Sequence, residues 1–433
     1  MRILLTGASG FIGQHLLQAL LAEGHHVVCA GRHPEREAAT VRDPRLSHIQ
    51  ADFANDTDKS TSLARLSHID AVINTVGIFR ESGRQTFARL HKETPRALFA
   101  ACAESHDVQM VIQLSALGAD RDAQTRYHES KRDADDYLAS LPLRSYIVQP
   151  SLVYGRDGAS SRAFRTLASM PVTPRLGSKP QLVQPIHVDD LVGAVIGLLK
   201  HRLPIPPGSG TSMRVPLVGP QALPFTDYLA TLRQSMGMRP PRVLTVPGPL
   251  ARLAAGISGL LPGTLLDRDA LSMLERDSTA DVTPTAMLLG HLPRPVTAFI
   301  QDPEGERARA KIGWLLPILS ASIAAVWILT ALVSFGLYPV QESYALLAQA
   351  GVPPELQPLM LYGASIFDLL LGLGILFLPR RRWLWLAQFA LIGLYTAVIA
   401  VKLPEYLLHP FGPLTKNLPM LAAIWLLYQL EDN

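Results

Sequence analysis

Cysteine is almost absent from the 433-residue sequence, which contains only Cys29 and Cys102. Both lie within apolar, periodic segments, and they do not form a CxxC pair. The sequence therefore offers neither a disulfide framework nor the ligand spacing of a zinc site. We expect a protein of a reducing compartment without a metal centre.

Charged residues are also scarce. They make up 18% of the chain, against about 25% in an average soluble domain, and the mean hydropathy is +0.19. The deficit is uneven, because residues 313–430 contain nine of the 76 charged residues and the other 315 positions contain 67. The two regions are expected to face different solvents.

Basic clusters are nearly missing as well. The net charge is only +4, and apart from the triplet at 380–382 the lysines and arginines are scattered without interleaved aromatics. Nucleic acid is therefore not an expected partner. The first seven residues run directly into a strand and a glycine turn, which leaves no room for a signal peptide, so the first domain is predicted to be cytoplasmic.

The first 155 residues alternate short apolar runs with amphipathic stretches. This rhythm is typical of βαβ units, so it predicts an α/β fold with a doubly wound parallel sheet. Helices are predicted at 11–22, 87–104 and 127–140. The predicted strands are 3–6, 26–30, 48–51, 71–75, 110–114 and 145–148.

Four segments follow from the composition. We predict a dinucleotide-binding domain at 1–155, a smaller substrate lobe at 156–305, a linker at 306–312 and a membrane domain at 313–433. Residues 313–341 carry no charge over 29 positions, which exceeds the roughly 20 needed to cross a bilayer as a helix. Further apolar stretches at 359–378, 383–401 and 418–430 bring the prediction to four transmembrane helices.

The short loops predict the orientation of these helices. Arg307, Arg309 and Lys311 precede the first apolar stretch, and the arginines at 380–382 separate the second from the third. Positive residues favour the cytoplasmic side. Both termini and the first domain of a multi-pass protein in the cell (inner) membrane are therefore predicted to be cytoplasmic.

A glycine-rich turn follows the first predicted strand. Residues 7–13 read GASGFIG, a GxxGxxG spacing directly before a helix. Such a turn needs glycines for its tight bend, for close approach of a pyrophosphate and for helix packing, while the helix N-terminus provides amide donors. The predicted contacts to a dinucleotide come from Gly7, Ser9, Gly10, Phe11, Ile12 and Gly13.

The second strand ends in Arg32, where NAD-binding proteins carry an acidic residue that binds the ribose 2′-hydroxyl. A guanidinium attracts a 2′-phosphate, so the sequence favours NADP(H) over NAD(H). Asp52 ends the third strand and is interpreted either as an acceptor for the adenine amino group or as a helix cap.

Tyr127 and Lys131 are four residues apart and therefore share one face of a helix. An ammonium near a phenol favours the phenolate, so we expect Lys131 to lower the pKa of Tyr127 toward a value useful for general acid–base catalysis. Ser115 ends the preceding strand, where its hydroxyl can bond a substrate oxygen. Residues 74–77, NTVG, form a small-residue turn at the same edge of the sheet.

Further motifs stand in a recognisable order. They are NTVG at 74–77, SALGAD at 115–120, YHESK at 127–131, PSLVYG at 150–155 and IHVDDL at 186–191. With the glycine loop, this set resembles the extended or atypical short-chain dehydrogenase/reductases, which include NAD-dependent epimerase/dehydratase-like proteins. Within them it is most similar to the branch of the Rossmann-type accessory subunit of respiratory complex I.

The resemblance covers about residues 1–300. It implies a catalytic trio of Ser115, Tyr127 and Lys131, with Lys131 also holding the nicotinamide ribose. It also implies cofactor contacts from Asn74, Val76, Gly77, Pro150 and Val153.

The chain departs from this family in two ways. Ser115 and Tyr127 are only 12 residues apart, so the intervening loop is short and a bulky nucleotide sugar is disfavoured as substrate. Where many members of the family carry an asparagine on a helix, this sequence has His91 or Lys92. A proton relay through that position is therefore not predicted.

The apolar region is similar to the DoxX-like four-helix membrane proteins, above all in the segment HPFGPLTKNLP at 409–419. That family has links to quinone-dependent oxidations. Asp368 lies within the second apolar stretch, where a carboxylate is costly and is a functional candidate. The alternative is an acid that is protonated or paired, for example with Lys402 or Lys416.

The leading hypothesis is a membrane-anchored NAD(P)(H)-dependent oxidoreductase that transfers hydride to or from a carbonyl, an alcohol or a quinone-like lipophilic substrate. The expected partners are the lipid bilayer, a lipophilic small molecule, and a membrane protein or a second copy of the chain. Two alternatives stay open: a non-catalytic nucleotide-binding subunit that assembles a membrane complex, and an NAD-dependent epimerase or dehydratase.

Overall fold

The chain forms two compact units, Met1–Ala310 and Lys311–Asn433, in a computed structural model. The structure describes residues 1–33, 42–176, 180–201, 203, 211–249, 268–406 and 414–431. The finer domain boundaries given above stay predictions.

A seven-stranded parallel sheet forms the centre of the first unit, as the sequence predicts for a doubly wound fold. All six predicted strands are present, and Ser212–Leu217 adds a seventh at one edge. Numbered in chain order, the strands lie side by side as β11 (Ser212–Leu217), β6 (Ser145–Pro150), β5 (Met110–Leu114), β4 (Ala71–Asn74), β1 (Arg2–Thr6), β2 (His26–Gly31) and β3 (Leu46–Gln50).

The central strands are near-continuous apolar runs because helices cover both faces of the sheet. Every residue of β5 is buried, and Ile3 and Leu5 of β1 are fully buried. One core layer packs Leu16 and Leu20 against the sheet, and the opposite layer contains Phe99 and Leu138. The strand order reverses at β1, which pairs with both β2 and β4. Ligands bind at such a switch point, outside the carboxyl ends of the strands.

Among the described residues, the helices of the first unit are α1 (Phe11–Ala22), α2 (Lys59–Leu63), α3 (Thr94–Glu104), α4 (Arg126–Ala139), α5 (Ala159–Ser169), α6 (Val188–His201), α7 (Phe225–Ser235), α8 (Arg268–Glu275) and α9 (Thr283–Leu289). The predicted helix at 87–104 is two elements, because the π-helical segment Ala88–Glu93 precedes α3. A short 3-10 turn covers Val296–Ala298.

Short strand pairs build the smaller part of the first unit. They are β7 (Val153–Tyr154) with β10 (Ile186–His187), β9 (Leu182–Val183) with β12 (Leu223–Pro224), and β8 (Val172–Leu176) with β13 (Arg242–Val246). A separate core that includes Tyr228 and Phe299 supports them.

The second unit is helical. After α10 (Pro303–Leu332), which begins in the first unit, come a π-helical turn (Val333–Leu337), α11 (Val340–Gln349), a 3-10 turn (Pro354–Leu356), α12 (Gln357–Phe377), α13 (Arg382–Lys402), a second 3-10 turn (Pro404–Tyr406) and α14 (Asn417–Leu430).

Among the residues that the structure describes, three helical segments are long and apolar enough to cross a membrane: Pro303–Leu337, Pro354–Phe377 and Arg382–Lys402. The fourth predicted span is the 14-residue helix α14, about 21 Å long at 1.5 Å per residue, which is shorter than the hydrocarbon core. Residues 407–413, which include part of the HPFGPLTKNLP segment, lie outside the described residues.

Candidate functional site

The glycine turn between β1 and α1 is built for close backbone approach. Gly7 has φ +75°, and a Cβ on Gly13 would lie 2.1 Å from the Gly7 carbonyl oxygen, so neither position accepts a side chain. Gly10 caps α1 without a side-chain hydrogen bond, and it is exposed together with Ser9. The first amides of α1 are therefore available to an anionic group, as a pyrophosphate site requires.

The next two strand ends differ in what their predicted residues do. Arg32 directly follows β2 and is exposed. Asp52 follows β3, and its carboxylate accepts hydrogen bonds from the Ala54 amide at 3.1 Å and the Asn55 side chain at 2.6 Å. Asp52 therefore holds a local turn and is not a helix cap, because Asp58 caps the helix that follows.

Asn74 holds strands together. Its side-chain oxygen accepts a hydrogen bond from the Thr6 hydroxyl at 2.5 Å, and its amide donates to Gln113 at 2.7 Å. The side chain is buried. It fixes the turn that carries Val76 and the exposed Gly77 rather than presenting its own polar atoms.

Lys131 reaches that same turn from α4. Its ammonium donates to the carbonyl oxygens of Leu114 at 3.0 Å and Val76 at 3.3 Å, and a Cβ on Gly77 would lie 3.0 Å from it. Within the described part of the chain two of its three donors are used, so one remains for a ligand beside Gly77. Burial lowers the pKa of Lys131, and the nearby Asp135 carboxylate opposes that shift.

Tyr127 lies one helical turn before Lys131 and is enclosed by aromatic rings. The exposed Phe79 ring stacks on it at a centroid distance of 5.1 Å, and the rings of His91 and His128 meet it edge-on at 5.5 and 5.3 Å. Glu81 pairs with Arg126 at 2.8 Å and so ties the Phe79 loop to the start of α4. The tyrosine ring is therefore largely shielded from water.

The prediction that Lys131 lowers the pKa of Tyr127 is wrong for this structure. Burial, and then the negative charge of Asp135, raise the pKa of Tyr127 well above its ordinary value. The phenol is therefore in its protonated form near neutral pH, which suits a proton donor.

Asp135 belongs to the site but was not predicted from the sequence. It is fully buried, it accepts a short hydrogen bond from the Ser115 hydroxyl, and its other oxygen has no hydrogen-bond partner in the described part of the chain. Burial raises the pKa of its carboxyl group. The available signal was its position, since Tyr127, Lys131 and Asp135 recur every four residues on one helix face.

The π-helical turn places His91 behind Tyr127. The Ile78 amide donates to His91 Nε2 at 2.9 Å, and the Ser130 hydroxyl, which donates to the Tyr127 carbonyl, lies 2.9 Å from Nδ1. This network fixes a neutral ring with the proton on Nδ1. Burial, with the charge of Lys131, lowers the pKa of His91 to about 2. Both ring nitrogens of His91 are therefore engaged, and the ring connects the Ile78 amide to Ser130 on α4.

The last two predicted cofactor contacts, Pro150 and Val153, lie at the end of β6 and at the start of β7. Pro150 ends β6 and accepts a hydrogen bond from the Leu117 amide at 2.9 Å through its carbonyl, and Val153 starts β7, partly exposed. Arg276 binds Asp120 at 2.6 Å and the Gly118 carbonyl at 3.3 Å, which ties the smaller lobe to the turn after Ser115.

Comparison with known families agrees with this geometry. Residues 7–170 match the model of the NAD(P)H-binding family, and residues 324–425 match that of the DoxX-like family. The chain thus combines an NAD(P)-binding Rossmann domain with a DoxX-like domain.

Curated relatives include two kinds of protein. The chain is 24% identical over 257 residues to the mitochondrial NADH dehydrogenase [ubiquinone] 1 alpha subcomplex subunit 9 of Arabidopsis thaliana. This alignment covers 58% of this chain and 61% of the relative. The chain is 27% identical over 201 residues to a ceramide reductase of Caulobacter vibrioides, and this alignment covers 46% of this chain and 61% of the relative. The chain thus spans about three fifths of the length of these relatives.

Solved structures share the fold of the first unit. UDP-glucuronic acid 4-epimerase from Bacillus cereus in complex with NAD superposes with a TM-score of 0.51 at 19% identity, covering 72% of this chain and all of that one. The homologues are therefore reductase- and epimerase-like NAD(P)-binding proteins, and the DoxX-like domain with its apolar helices indicates membrane association.

Proposed function

We propose that the protein is a membrane-anchored oxidoreductase of the short-chain type that prefers NADP(H). In this proposal, hydride passes to or from a carbonyl, an alcohol or a quinone-like lipophilic substrate. The observation that carries it is the convergence of Tyr127, Lys131 and Gly77 at the same sheet edge as the glycine turn.

The residues of the turns fit the cofactor. The amides at the start of α1 would hold a pyrophosphate, Arg32 would hold a 2′-phosphate, and the third donor of Lys131 would bind a ribose hydroxyl. Pro150 and Val153 would contribute backbone to the nicotinamide end of the site. When bound, the nicotinamide supplies or accepts the hydride.

Tyr127 acts as the general acid in the reductive direction. Its buried phenol keeps its proton near neutral pH and delivers it to the substrate oxygen. Ser115 is a weaker candidate for a direct role, because its proton is already donated to Asp135. In this arrangement Ser115 and Asp135 position the start of the substrate turn.

A lipophilic substrate is supported by two features. The Phe79 and Phe87 rings give Tyr127 apolar neighbours, and one relative is a ceramide reductase. The DoxX-like domain adds a membrane anchor from which such a substrate is delivered. We further propose that the protein lies in the cell (inner) membrane with both termini and the Rossmann domain in the cytoplasm, alone or with a membrane partner.

A non-catalytic assembly role is the second candidate. It is favoured by the likeness to a complex I subunit and by the Phe79 ring that covers Tyr127. An epimerase or dehydratase is less favoured, because the exposed Arg32 suits NADP(H) rather than NAD(H).

The deciding experiment uses the full-length protein in lipid nanodiscs. Calorimetry with NADPH and NADH establishes binding, and NADPH oxidation is then followed with long-chain ketones, aldehydes and quinones. Tyr127→Phe should lower turnover by roughly 100- to 10,000-fold while binding of NADPH is kept.

Tyr137→Phe is the matched control. Tyr137 lies on the same helix, where its ring contacts Arg96 at 4.5 Å, and its substitution should leave turnover unchanged. If NADPH binds tightly and no substrate is turned over by the wild type, the assembly role replaces the enzyme role. Turnover by Tyr127→Phe at the wild-type rate would remove the mechanism.

A further inference from the structure

The small parallel sheet of β8 and β13 exposes apolar side chains. Leu244 of β13 lies opposite Pro174 of β8, so it shares a face with Val172, while Val243 points to the other face. These three side chains are exposed by 60, 38 and 47%, in the order Leu244, Val172 and Val243. They are three of the seven large hydrophobic side chains that are exposed in the described part of the first unit.

The strand β13 is unusual because both of its faces are open. Its first four residues are all exposed. A sheet in a soluble domain normally packs at least one face on a core. The exposed apolar residues of β13 therefore indicate a surface that meets something outside the first unit.

The start of this sheet is fixed from inside the lobe. The buried guanidinium of Arg233 on α7 donates to the carbonyl oxygens of Ala168 at 2.8 Å and Met170 at 2.7 Å, shortly before β8. It also donates to the carbonyl oxygen of Arg239, shortly before β13. One side chain thus holds both strands, so the sheet presents its apolar residues in a set arrangement.

The charge around the sheet has one sign. The described segments 158–176 and 228–249 contain six arginines and no aspartate or glutamate. Four of these arginines are exposed and form no ion pair with a described residue, namely Arg162, Arg175, Arg239 and Arg242. The surface that carries the exposed apolar residues is therefore positive and attracts anions.

Exposed apolar side chains beside unpaired arginines suit the interface of an anionic bilayer. The apolar groups enter the boundary between head groups and acyl chains, and the guanidinium groups bind lipid phosphates. The chain has its own DoxX-like domain with apolar helices, which keeps lipid at a high effective concentration near the first unit. A lipid surface is therefore favoured over an acidic protein as the occupant.

We propose that β8 and β13 form a lipid-contact surface that docks the first unit on an anionic bilayer. Val172, Val243 and Leu244 enter the interface, and Arg175 and Arg239 bind phosphates beside them. This contact goes beyond the oxidoreductase function proposed above, because it needs neither cofactor nor substrate.

The test places a dye on this sheet in the full-length protein in lipid nanodiscs. Cys29 and Cys102 are buried, so a maleimide-linked NBD dye should label the exposed Thr245→Cys alone, with the wild type as blank. The discs contain phosphatidylcholine with or without phosphatidylglycerol, and some lipids carry a nitroxide high on the acyl chain. We expect strong quenching with phosphatidylglycerol, and much weaker quenching without it or in high salt.

Variants and controls locate the contact. The same dye on Leu292→Cys, an exposed position outside this sheet, should not be quenched. With the dye on the sheet, Leu244→Ser should lower the quenching, whereas Met287→Ser, an equally exposed change on α9, should not. The double variant Arg175→Gln, Arg239→Gln should lower the ratio of docked to undocked protein by roughly 30-fold in the phosphatidylglycerol discs.

Equal quenching of the two dye positions would overturn the proposal, because the whole unit would then only lie near lipid. No quenching at Thr245→Cys in any disc would also overturn it and would favour an acidic protein as the occupant. Equal quenching with and without phosphatidylglycerol would overturn the role of the arginines. No nucleotide is used, so this proposal and the oxidoreductase function fail separately.

Discussion

The two units of the chain treat apolar side chains in opposite ways. Among the described residues, seven large hydrophobic side chains are exposed in the first unit and 32 in the second. The first unit hides its apolar residues in layers on either side of a sheet, whereas the second turns them outward, as a helical domain in lipid does. A large hydrophobic residue therefore usually belongs to the core in the first unit, whereas in the second unit it often lies on the outer surface.

The difference extends to polar groups. The site of the first unit uses single charges, such as Lys131 and Asp135, to set the protonation of neighbours. The second unit has few charges, and its interior contains isolated polar contacts such as Trp327 with Gln388. The comparison predicts that changes of charge matter most in the first unit and changes of packing in the second.

The largest effect on cofactor binding is expected for Arg32→Ala. A guanidinium bound to a 2′-phosphate forms charge-assisted hydrogen bonds worth about 1.5–3 kcal/mol, so NADPH affinity should fall roughly 10- to 100-fold while NADH affinity stays constant. Calorimetric titration of both nucleotides measures this. Arg242→Ala, an exposed arginine on β13, is the control. An unchanged NADPH preference in Arg32→Ala would show that the selectivity lies elsewhere.

The next effect is the acid sensitivity that His91 gives to the first unit. Its pKa is about 2 in the folded state and about 6.5 when unfolded, so the unfolded chain takes up the proton first. Stability is therefore lost as the pH falls below about 6.5, by about 2 kcal/mol between pH 7 and pH 5. In His91→Gln, whose amide can both accept and donate, the slope should become shallower by this contribution, while the part that comes from His128 stays.

Urea-dependent pulse proteolysis of the full-length protein at several pH values measures the free energy of unfolding of the first unit. His106→Gln, on an exposed loop, is the control and should keep the wild-type slope. An unchanged slope in His91→Gln would mean that another group takes up the proton on unfolding.

The sequence predicted the strands well and the site only in part. Buried parallel strands such as Met110–Leu114 are continuous apolar runs, which a linear reading detects. Ser212–Leu217 was missed because it is broken by Arg214 and Pro216, and its pairing with β6 joins residues 67 apart. Long-range pairing of that kind leaves no local signal.

The contacts within the site could likewise be predicted only where the residues are close in the sequence. The spacing of Tyr127 and Lys131 places them on one helix face, and the structure agrees. The bond from Ser115 to Asp135 joins a strand end to a helix, and the burial that raises the pKa of Tyr127 depends on Phe79 and the turn around it. Spacing reveals neighbours along a helix but not the dielectric around them.

A smaller effect is expected for Asp135→Asn. Asparagine keeps an acceptor for Ser115 but removes the negative charge, so the pKa of Tyr127 should fall. Reduction requires the protonated phenol, so the basic limb of the pH profile of kcat/KM should move to lower pH. The control is Asp133→Asn. Asp133 lies on the same helix, and its carboxylate pairs with Lys92 at 2.9 Å. A purely structural role for Asp135 would lower the rate at every pH without moving the limb.

The smallest effect is expected in the second unit, for Gln388→Met. Gln388 is fully buried and accepts from the Trp327 indole at 2.8 Å, but its own amide has no hydrogen-bond partner among the described residues. The substitution removes one bond and one unpartnered donor together. Hydrogen bonds between helices in membranes average only about 0.6 kcal/mol, so the loss should stay below about 1 kcal/mol.

The matched packing variant is Ile424→Ala, because Ile424 is fully buried in the same helical core. It should cost about 2–5 kcal/mol through the cavity that it leaves. Tryptophan fluorescence during unfolding in detergent isolates this unit, since all five tryptophans lie after residue 310. If Gln388→Met cost more than Ile424→Ala, polar pairing rather than packing would hold the second unit together, and the contrast between the units would fail.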